Sequence, residues 1–233
     1  MRKRPVALIT GATRGIGLAV AESLADTHTL LLGGRDVGAL EEIARGLPDA
    51  RAWAGDLQDD DVVASLAESV RELNVLVHSA GMYTKGHIGD LTRDDWRREF
   101  DLNLFAPADL TRRLLPSLRK GRGTVVFLNS GAGQFSYAGG AIYSGTKFAL
   151  RTFADTLRLE ERDNGIRVTS IHPGRVDTDM VRRLAAREGE RYDPTGYLSA
   201  QTVAEAIRLA VTAPPEACFE SITVRPAFPV HTT

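Results

Sequence analysis

The residues with the clearest chemical potential are Tyr143 and Lys147, which lie four residues apart in the segment Tyr-Ser-Gly-Thr-Lys. On a helix this spacing places two side chains on the same face, so a phenol and an ammonium would meet. A free phenol has a pKa of about 10, and a fixed cation nearby favours the phenolate and lowers that value. The pair could transfer a proton near neutral pH, but the same spacing is also common on solvated helix faces. Other segments of the chain must decide between the two interpretations.

The composition is that of an ordinary globular protein and argues against several kinds of partner. The chain has 233 residues, of which 43% are hydrophobic and 25% charged, and one α/β domain can reach this length. Its 29 Lys and Arg against 30 Asp and Glu leave a net charge of −1, which gives no overall attraction for nucleic acid or an anionic membrane. We therefore expect a single domain over residues 1–233, without a nucleic-acid or membrane partner.

Targeting segments and metal ligands are not indicated either. The basic start at residues 1–4 is followed by an apolar run that ends by Thr10, too short for an export signal, and no stretch approaches the roughly 18 apolar residues of a membrane span. A single cysteine, Cys218, allows no intrachain disulfide, and no Cys/His cluster suggests zinc. The expectation is a cytoplasmic protein without a metal site.

Short apolar runs alternate with helical patterns along most of the chain, which is typical of βαβ units around a parallel sheet. Buried parallel strands are near-continuous apolar runs. The predicted strands are residues 6–9, 29–32, 50–54, 75–78, 124–128 and 168–171, with a weaker seventh at 221–224. The predicted helices are residues 17–25, 37–45, 60–73, 92–119, 141–162 and 202–211. Residues 177–198, rich in Arg, Glu, Gly and Tyr, are predicted to be irregular and could cover a cleft.

A glycine-rich segment, Thr-Gly-Ala-Thr-Arg-Gly-Ile-Gly at residues 10–17, follows the first predicted strand and opens the first helix. Such a turn lets the backbone approach a pyrophosphate, whose charge is met by the N–H groups and dipole of the helix. Its glycines are spaced G-x-x-x-G-x-G rather than G-x-G-x-x-G. A purely structural turn is the alternative, but the strand-loop-helix context favours dinucleotide binding.

The end of the second predicted strand bears on which dinucleotide would bind. An acidic residue there hydrogen-bonds a ribose 2′-OH, whereas an arginine accommodates a 2′-phosphate. Arg35, with Arg14 in the glycine-rich loop, therefore favours NADP(H). Asp36 leaves NAD(H) open, although it could instead cap the following helix.

The order of these motifs along the chain resembles the classical short-chain dehydrogenase/reductase family over nearly the whole length. Residues 10–17 are similar to its TGxxxGxG loop, and Ser130 precedes Tyr143 by thirteen residues, as in its catalytic tetrad. Residues 79–81 match most of its NNAG segment, and residues 173–178 resemble the segment that holds the nicotinamide carboxamide. With the strand pattern, the resemblance implies a Rossmann-type, doubly wound, three-layer α/β/α fold with a seven-stranded, mainly parallel sheet.

The resemblance assigns roles to individual residues. The implied catalytic residues are Asn103, Ser130, Tyr143 and Lys147. The implied cofactor contacts are Gly11, Thr13, Arg14, Gly15, Ile16, Gly17, Arg35, Asp56, Leu57, Ala80, Gly81, Tyr143, Lys147, Pro173, Gly174, Val176 and Thr178. One departure is His78, which stands where the family usually has an asparagine. We expect it to make a structural hydrogen bond rather than to act in catalysis.

The implied activity is hydride transfer between NADP(H) and a carbonyl or alcohol, with Tyr143 as the acid or base and Lys147 lowering its pKa. A dinucleotide-binding regulator without chemistry, or a lyase, epimerase or dehydratase on the same fold, are alternatives. The predicted lining residues of the substrate pocket are Tyr83, Phe135, Tyr137 and Met180, and Arg175 could bind a carboxylate or simply be solvated. The resemblance also implies a homodimer or homotetramer, for which Phe148, Leu150 and Phe153 would provide an outward face.

Overall fold

Seven parallel strands form one sheet in the order β3-β2-β1-β4-β5-β6-β7. The computed structural model describes residues 4–189 and 191–227. The strands are β1 Val6–Thr10, β2 Thr29–Gly34, β3 Ala50–Ala54, β4 Val75–His78, β5 Thr124–Leu128, β6 Arg167–Pro173 and β7 Ser221–Val224. Every neighbouring pair is parallel. The predicted seven-stranded sheet is therefore confirmed, and it is entirely rather than mainly parallel.

Helices cover both faces of this sheet. They are α1 Gly15–Leu24, α2 Val37–Arg45, α3 Asp60–Glu68, α4 Arg93–Phe100, α5 Ala106–Gly121, α6 Ala141–Glu161, α7 Asp179–Glu188 and α8 Ala200–Val211. One core cluster packs α1, α2 and α8 against one face, through residues such as Val20, Leu40 and Ile207. The other packs α3, α5 and α6 against the opposite face. The three-layer, doubly wound fold is therefore confirmed.

The sheet order places a cleft beside the strand ends that carry the predicted motifs. The chain winds from β1 outward to β3 and then returns to β4 on the other side of β1. In such sheets, ligands bind beyond the carboxyl ends of the strands where the order reverses. Thr10 closes β1 and His78 closes β4 at this point, and their backbones are register partners.

The helix predicted over residues 92–119 is present, but it contains an irregular turn that was not predicted. The structure has α4, then a π-helical turn at Asp101–Phe105, and then α5. The predicted start is correct, because the Thr92 side chain forms a capping box with Asp95. A π-helical turn inserts an extra residue without ending the helix, so the apolar pattern runs on through it. The helix predicted over 60–73 likewise ends earlier, at Glu68.

Residues 177–198 are not irregular throughout, because α7 occupies Asp179–Glu188. The two ends of this segment meet in a parallel bridge between Val176 and Leu198. The N–H of Asp177 donates to Leu198 O at 2.8 Å, and the N–H of Leu198 donates to Arg175 O at 2.9 Å. The segment is therefore a loop with a helix inside it, closed at its base.

The outward apolar face predicted for α6 is wrong at two of its three residues. Leu150 is buried in a core cluster and Phe153 packs against it, whereas Phe148 is 42% exposed. The reason is that α6 packs one face on the sheet, and residues 150 and 153 lie on that face.

Among the described residues, no helix is long and apolar enough to cross a membrane.

Candidate active site

A cleft of about 1550 Å³ lies at the carboxyl end of the sheet and brings the predicted motifs together. The predicted catalytic and cofactor residues that line it are Gly11, Thr13, Arg14, Ile16, Gly17, Arg35, Asp56, Leu57, Ala80, Gly81, Ser130, Tyr143, Lys147, Pro173, Gly174, Val176 and Thr178. Gly15 and Asn103 are not among the lining residues. Gly15 opens α1 and Asn103 is buried behind the cleft wall.

The glycine-rich loop has a backbone that larger residues would not permit. Gly11 and Gly15 have φ values of +69° and +56°, in the left-handed region that favours glycine. A Cβ on Gly17 would lie 2.2 Å from the carbonyl oxygen of Gly11. The first turn of α1 contains no acidic residue, and its N-cap Arg14 makes no side-chain capping bond. The helix N-terminus therefore presents uncapped N–H groups and a positive dipole, which suits an anion.

Arg35 and Asp36 have separate tasks at the end of β2. The Asp36 side chain accepts a hydrogen bond from the Ala39 N–H at 3.0 Å and caps α2. Arg35 is 75% exposed, lines the cleft, and lies 3.8 Å from an oxygen of Asp56. The capping alternative for Asp36 is thus the observed one, although Asp36 also lines the cleft beside Arg35.

Tyr143, Lys147 and Ser130 come together in the same cleft. Tyr143 and Lys147 lie on one face of α6, with Nζ of Lys147 5.6 Å from the centre of the phenol ring. Lys147 is buried, and its Nζ donates to the carbonyl oxygen of Leu128 at 2.8 Å. Ser130 follows β5, where its Oγ accepts the Ala132 N–H at 3.1 Å, and its side chain is hydrogen-bonded to that of Tyr143. The phenol thus lies beside a hydroxyl and an ammonium.

The expected lowering of the Tyr143 pKa is not observed in this structure. Burial raises the pKa of Tyr143 to about 12, against a lowering by the Ser130 hydrogen bond and further raising by Tyr137 and Glu99. Burial also lowers the pKa of Lys147 to about 8, although the charge of Glu99 acts to raise it. Desolvation disfavours the charged form of both groups, so proximity alone does not produce a phenolate.

Asn103 lies in the π-helical turn between α4 and α5 and is fully buried. Its Oδ1 accepts the N–H of Met82 at 2.9 Å, and its Nδ2 donates to the carbonyl oxygen of Met82 at 2.9 Å. The same Nδ2 lies 3.2 Å from Thr146 Oγ1 and 3.4 Å from Glu99 Oε1. Asn103 therefore joins the loop after β4 to α6, next to Lys147.

The histidines near the site make structural contacts. His78 is buried, its Nε2 lies 2.9 Å from Thr111 Oγ1, and its ring stacks on Phe127 at 4.9 Å. Burial lowers the pKa of His78 to about 3, so it stays neutral, which agrees with the predicted structural role. His172 Nδ1 donates to the carbonyl oxygen of Ser130 at 3.0 Å and supports the turn that carries the serine.

In the part of the chain that the structure describes, no group of His, Cys, Asp or Glu could hold a metal ion.

Aromatic side chains line the cleft near Tyr143. The ring of Tyr83 lies 4.8 Å from that of Tyr143, and Tyr137 is hydrogen-bonded to Tyr83. Phe135 and Met180 also line the cleft, as predicted. Arg175 is exposed and lies 3.4 Å from the hydroxyl of Tyr197.

Sequence reasoning missed one residue of this site, Glu99. It is completely buried on α4 and contacts both Asn103 and the backbone of Thr84. The available signal was its position four residues before Asn103 in a segment expected to be helical, since that spacing places both side chains on one face.

Comparison with known proteins connects this geometry to a family. A family model described as "short chain dehydrogenase" matches residues 5–189. The chain is 33% identical over 230 residues to a serine 3-dehydrogenase of Agrobacterium fabrum, which covers 94% of this chain and 92% of that protein. It is also 33% identical over 215 residues to the dehydrogenase/reductase SDR family member 7B of Rattus norvegicus, covering 85% of this chain but only 66% of that relative's length.

A solved structure gives the same answer at the level of the fold. An alcohol dehydrogenase from the archaeon Thermococcus sibiricus, complexed with 5-hydroxy-NADP, superposes with a TM-score of 0.87 and 27% sequence identity. The match covers 99% of this chain and 100% of that one.

Proposed function

Since the chain belongs to the short-chain dehydrogenase/reductase family and is an oxidoreductase, we propose that it transfers hydride between NADP(H) and a carbonyl or alcohol substrate. Tyr143 is the general acid for reduction and the base for oxidation. The observation that carries this proposal is the meeting of Tyr143, Ser130 and Lys147 in a cleft that also contains the glycine-rich loop.

The residues of the cleft fit a dinucleotide. The close approach of Gly17 to the Gly11 carbonyl leaves a side-chain-free surface at the start of α1, where a pyrophosphate would find uncapped N–H groups. Arg35 and Arg14 would meet a 2′-phosphate, and Asp56 and Leu57 would contact the adenine. When bound, the nicotinamide supplies or accepts the hydride. The relative solved with 5-hydroxy-NADP supports this cofactor class.

The remaining proposed cofactor contacts belong to the glycine-rich loop, to α6 and to the segments after β4 and β6. They are Gly11, Thr13, Gly15, Ile16, Gly17, Ala80, Gly81, Tyr143, Lys147, Pro173, Gly174, Val176 and Thr178. Within this set, Lys147 would hold the ribose hydroxyls and residues 173–178 the carboxamide, as the family resemblance implies.

The chain's own groups would handle the proton. Tyr143 donates its phenolic proton to the carbonyl oxygen, and Ser130 donates a hydrogen bond to the same oxygen, which stabilises the developing negative charge. A phenol with a raised pKa is protonated at neutral pH, which suits the donor role in reduction. Asn103 would orient a water that connects Lys147 with solvent, a role taken from the family.

Incubation of the protein with NADPH and a panel of aldehydes and ketones tests the activity. We expect a fall in NADPH absorbance together with formation of one equivalent of the alcohol. Product formation without net NADPH consumption would instead indicate an epimerase on the same fold. Tight NADPH binding with no product from any substrate would support the regulator alternative.

Cofactor preference gives a separate prediction for Arg35. Arg35→Ala should weaken NADPH binding by about tenfold and leave NADH binding nearly unchanged, because only NADPH carries the 2′-phosphate that a charge-assisted hydrogen bond would meet. The difference should shrink as salt increases, since Arg35 is exposed. Fluorescence titration of both cofactors measures it. The matched control is Arg45→Ala, an exposed arginine in the last turn of α2, and an equal loss of NADH affinity in Arg35→Ala would contradict the assignment.

Two further proposals concern the surroundings of the site. Residues 177–198 cover the substrate, since Met180 and Tyr197 from this segment line the cleft. Copies of the chain associate as dimers or tetramers, as the family resemblance implies, and light scattering tests this. Phe105 and Phe148, both exposed on the helices after β4 and β5, are the apolar side chains available for that contact.

A further inference from the structure

Glu99 is a buried carboxyl group placed behind the proposed proton-transfer residues. Its exposed fraction is 0%, although it lies on α4, whose other charged residues, such as Asp94 and Arg97, form exposed pairs. A buried carboxyl group is costly unless hydrogen bonds or opposite charges compensate for the lost hydration. Its position therefore requires specific partners.

Those partners belong to the site itself. Oε2 of Glu99 accepts the N–H of Thr84 at 2.7 Å, and Oε1 lies 3.4 Å from Nδ2 of Asn103. Thr84 follows Tyr83, whose ring packs on Tyr143. Glu99 thus fixes two neighbours of the reacting groups: the Asn103 amide on one side and the loop that carries Tyr83 on the other.

The charged and titratable groups facing Glu99 come from three elements. Lys147 and Tyr143 face it from α6, and Tyr137 faces it from the loop before that helix. Tyr83 and Lys85 flank Thr84 on the loop after β4. Burial raises the pKa of Glu99 to about 7, while its bonds to Thr84 and the Lys147 charge act to lower it.

We propose that Glu99 is a positioning residue for proton transfer at Tyr143, which holds Asn103 and Thr84 in place and whose negative charge keeps Lys147 protonated. This rests on the proposed function. The charge of Glu99 affects proton transfer by way of Lys147. An ionised Glu99 raises the pKa of the ammonium, whereas burial lowers that pKa to about 8. Without the Glu99 charge, Lys147 would lose its proton at a lower pH.

The test is the pH dependence of kcat for reduction of a carbonyl by NADPH. Glu99→Gln keeps the shape of the side chain and removes the charge, so the alkaline fall in kcat should move to lower pH by about half a unit or more. Glu99→Asp keeps the charge but shortens the reach to Thr84. It should lower kcat while leaving the alkaline fall where the wild type has it. A purely structural Glu99 would give the opposite pattern, with Glu99→Gln superimposing on the wild-type pH profile, and this would overturn the proposal.

The control for charge removal is Asp94→Asn on the same helix, because Asp94 is 81% exposed and should leave the profile unshifted. A shift of equal size in Asp94→Asn would overturn the proposal.

A second measurement covers the case in which Glu99→Gln does not fold, or the wild type reduces no carbonyl. Carbon-13 NMR of the carboxyl groups in the wild-type protein should show one glutamate that titrates at about pH 7, with its signal missing in Glu99→Asp. In Lys147→Met its midpoint should rise, since the ammonium lowers it. Absence of such a carboxyl, or a midpoint that ignores Lys147, would overturn the coupling, whereas inactivity alone would count only against the proposed function.

Discussion

Tyr143→Phe should lower kcat for carbonyl reduction by about 10²–10⁴-fold, because it removes the hydroxyl that donates the proton and leaves the rest of the side chain in place. The phenylalanine ring would keep the packing against Tyr83, whose centroid lies 4.8 Å away. The unfolding temperature should therefore change little. NADPH affinity should fall by a far smaller factor than kcat, because Tyr143 is only one of many proposed cofactor contacts. Steady-state kinetics, a fluorescence titration of NADPH and a thermal melt measure the three quantities.

The comparison for this variant is Tyr137→Phe, which removes a hydroxyl from the same cleft at a position to which we assign no proton transfer. Its kcat should fall by a far smaller factor. Turnover by Tyr143→Phe at the wild-type rate would refute the assignment of the general acid.

Gly17→Ala should weaken NADPH binding by about tenfold or more and lower the free energy of unfolding by about 1–3 kcal/mol. The added Cβ would lie 2.2 Å from the Gly11 carbonyl oxygen. The obstacle is backbone rather than a flexible side chain, so the loop itself must move. Movement of that loop would displace the N–H groups proposed to bind the pyrophosphate. Denaturant unfolding and NADPH titration separate the effect on stability from the effect on binding.

Gly38→Ala is the matched substitution, since Gly38 also lies near the start of a helix but its Cβ would meet only an Asp36 oxygen at 3.6 Å. It should leave NADPH binding unchanged and stabilise the protein by up to about 1 kcal/mol. If Gly17→Ala bound NADPH as tightly as the wild type, the glycine-rich loop would not be the pyrophosphate site.

The sheet could be predicted from the sequence because its five inner strands are short, mainly apolar runs buried on both faces. The first strand, expected at residues 6–9, is Val6–Thr10, and the others agree similarly well. The π-helical turn at Asp101–Phe105 could not be predicted, because such a turn keeps the apolar spacing of a helix on both sides. The burial of Leu150 could not be predicted either, because tertiary packing decides which face of α6 meets the sheet.

The electrostatics of the site were the least predictable part. Spacing showed that Tyr143 and Lys147 would share a helix face, but spacing carries no information about desolvation. In the structure, burial raises the pKa of one and lowers the pKa of the other. Glu99 was not predicted as a site residue for a related reason. A glutamate on a charged helix is ordinarily solvated, and only the packing of α4 shows that this one is buried.

The closed base of the segment between Val176 and Leu198 bears on whether substrate range and redox chemistry can change independently. Both ends of the segment leave the body of the protein at one bridge, so a segment of different length or sequence can be attached there without moving the sheet, because loop length has only a weak energetic cost. Tyr143, Lys147 and the glycine-rich loop lie outside it, whereas Thr178, a proposed cofactor contact, lies at its start. If the segment covers the substrate, as proposed, exchange of its part beyond Thr178 would change substrate range while the residues proposed for hydride and proton transfer stay in place.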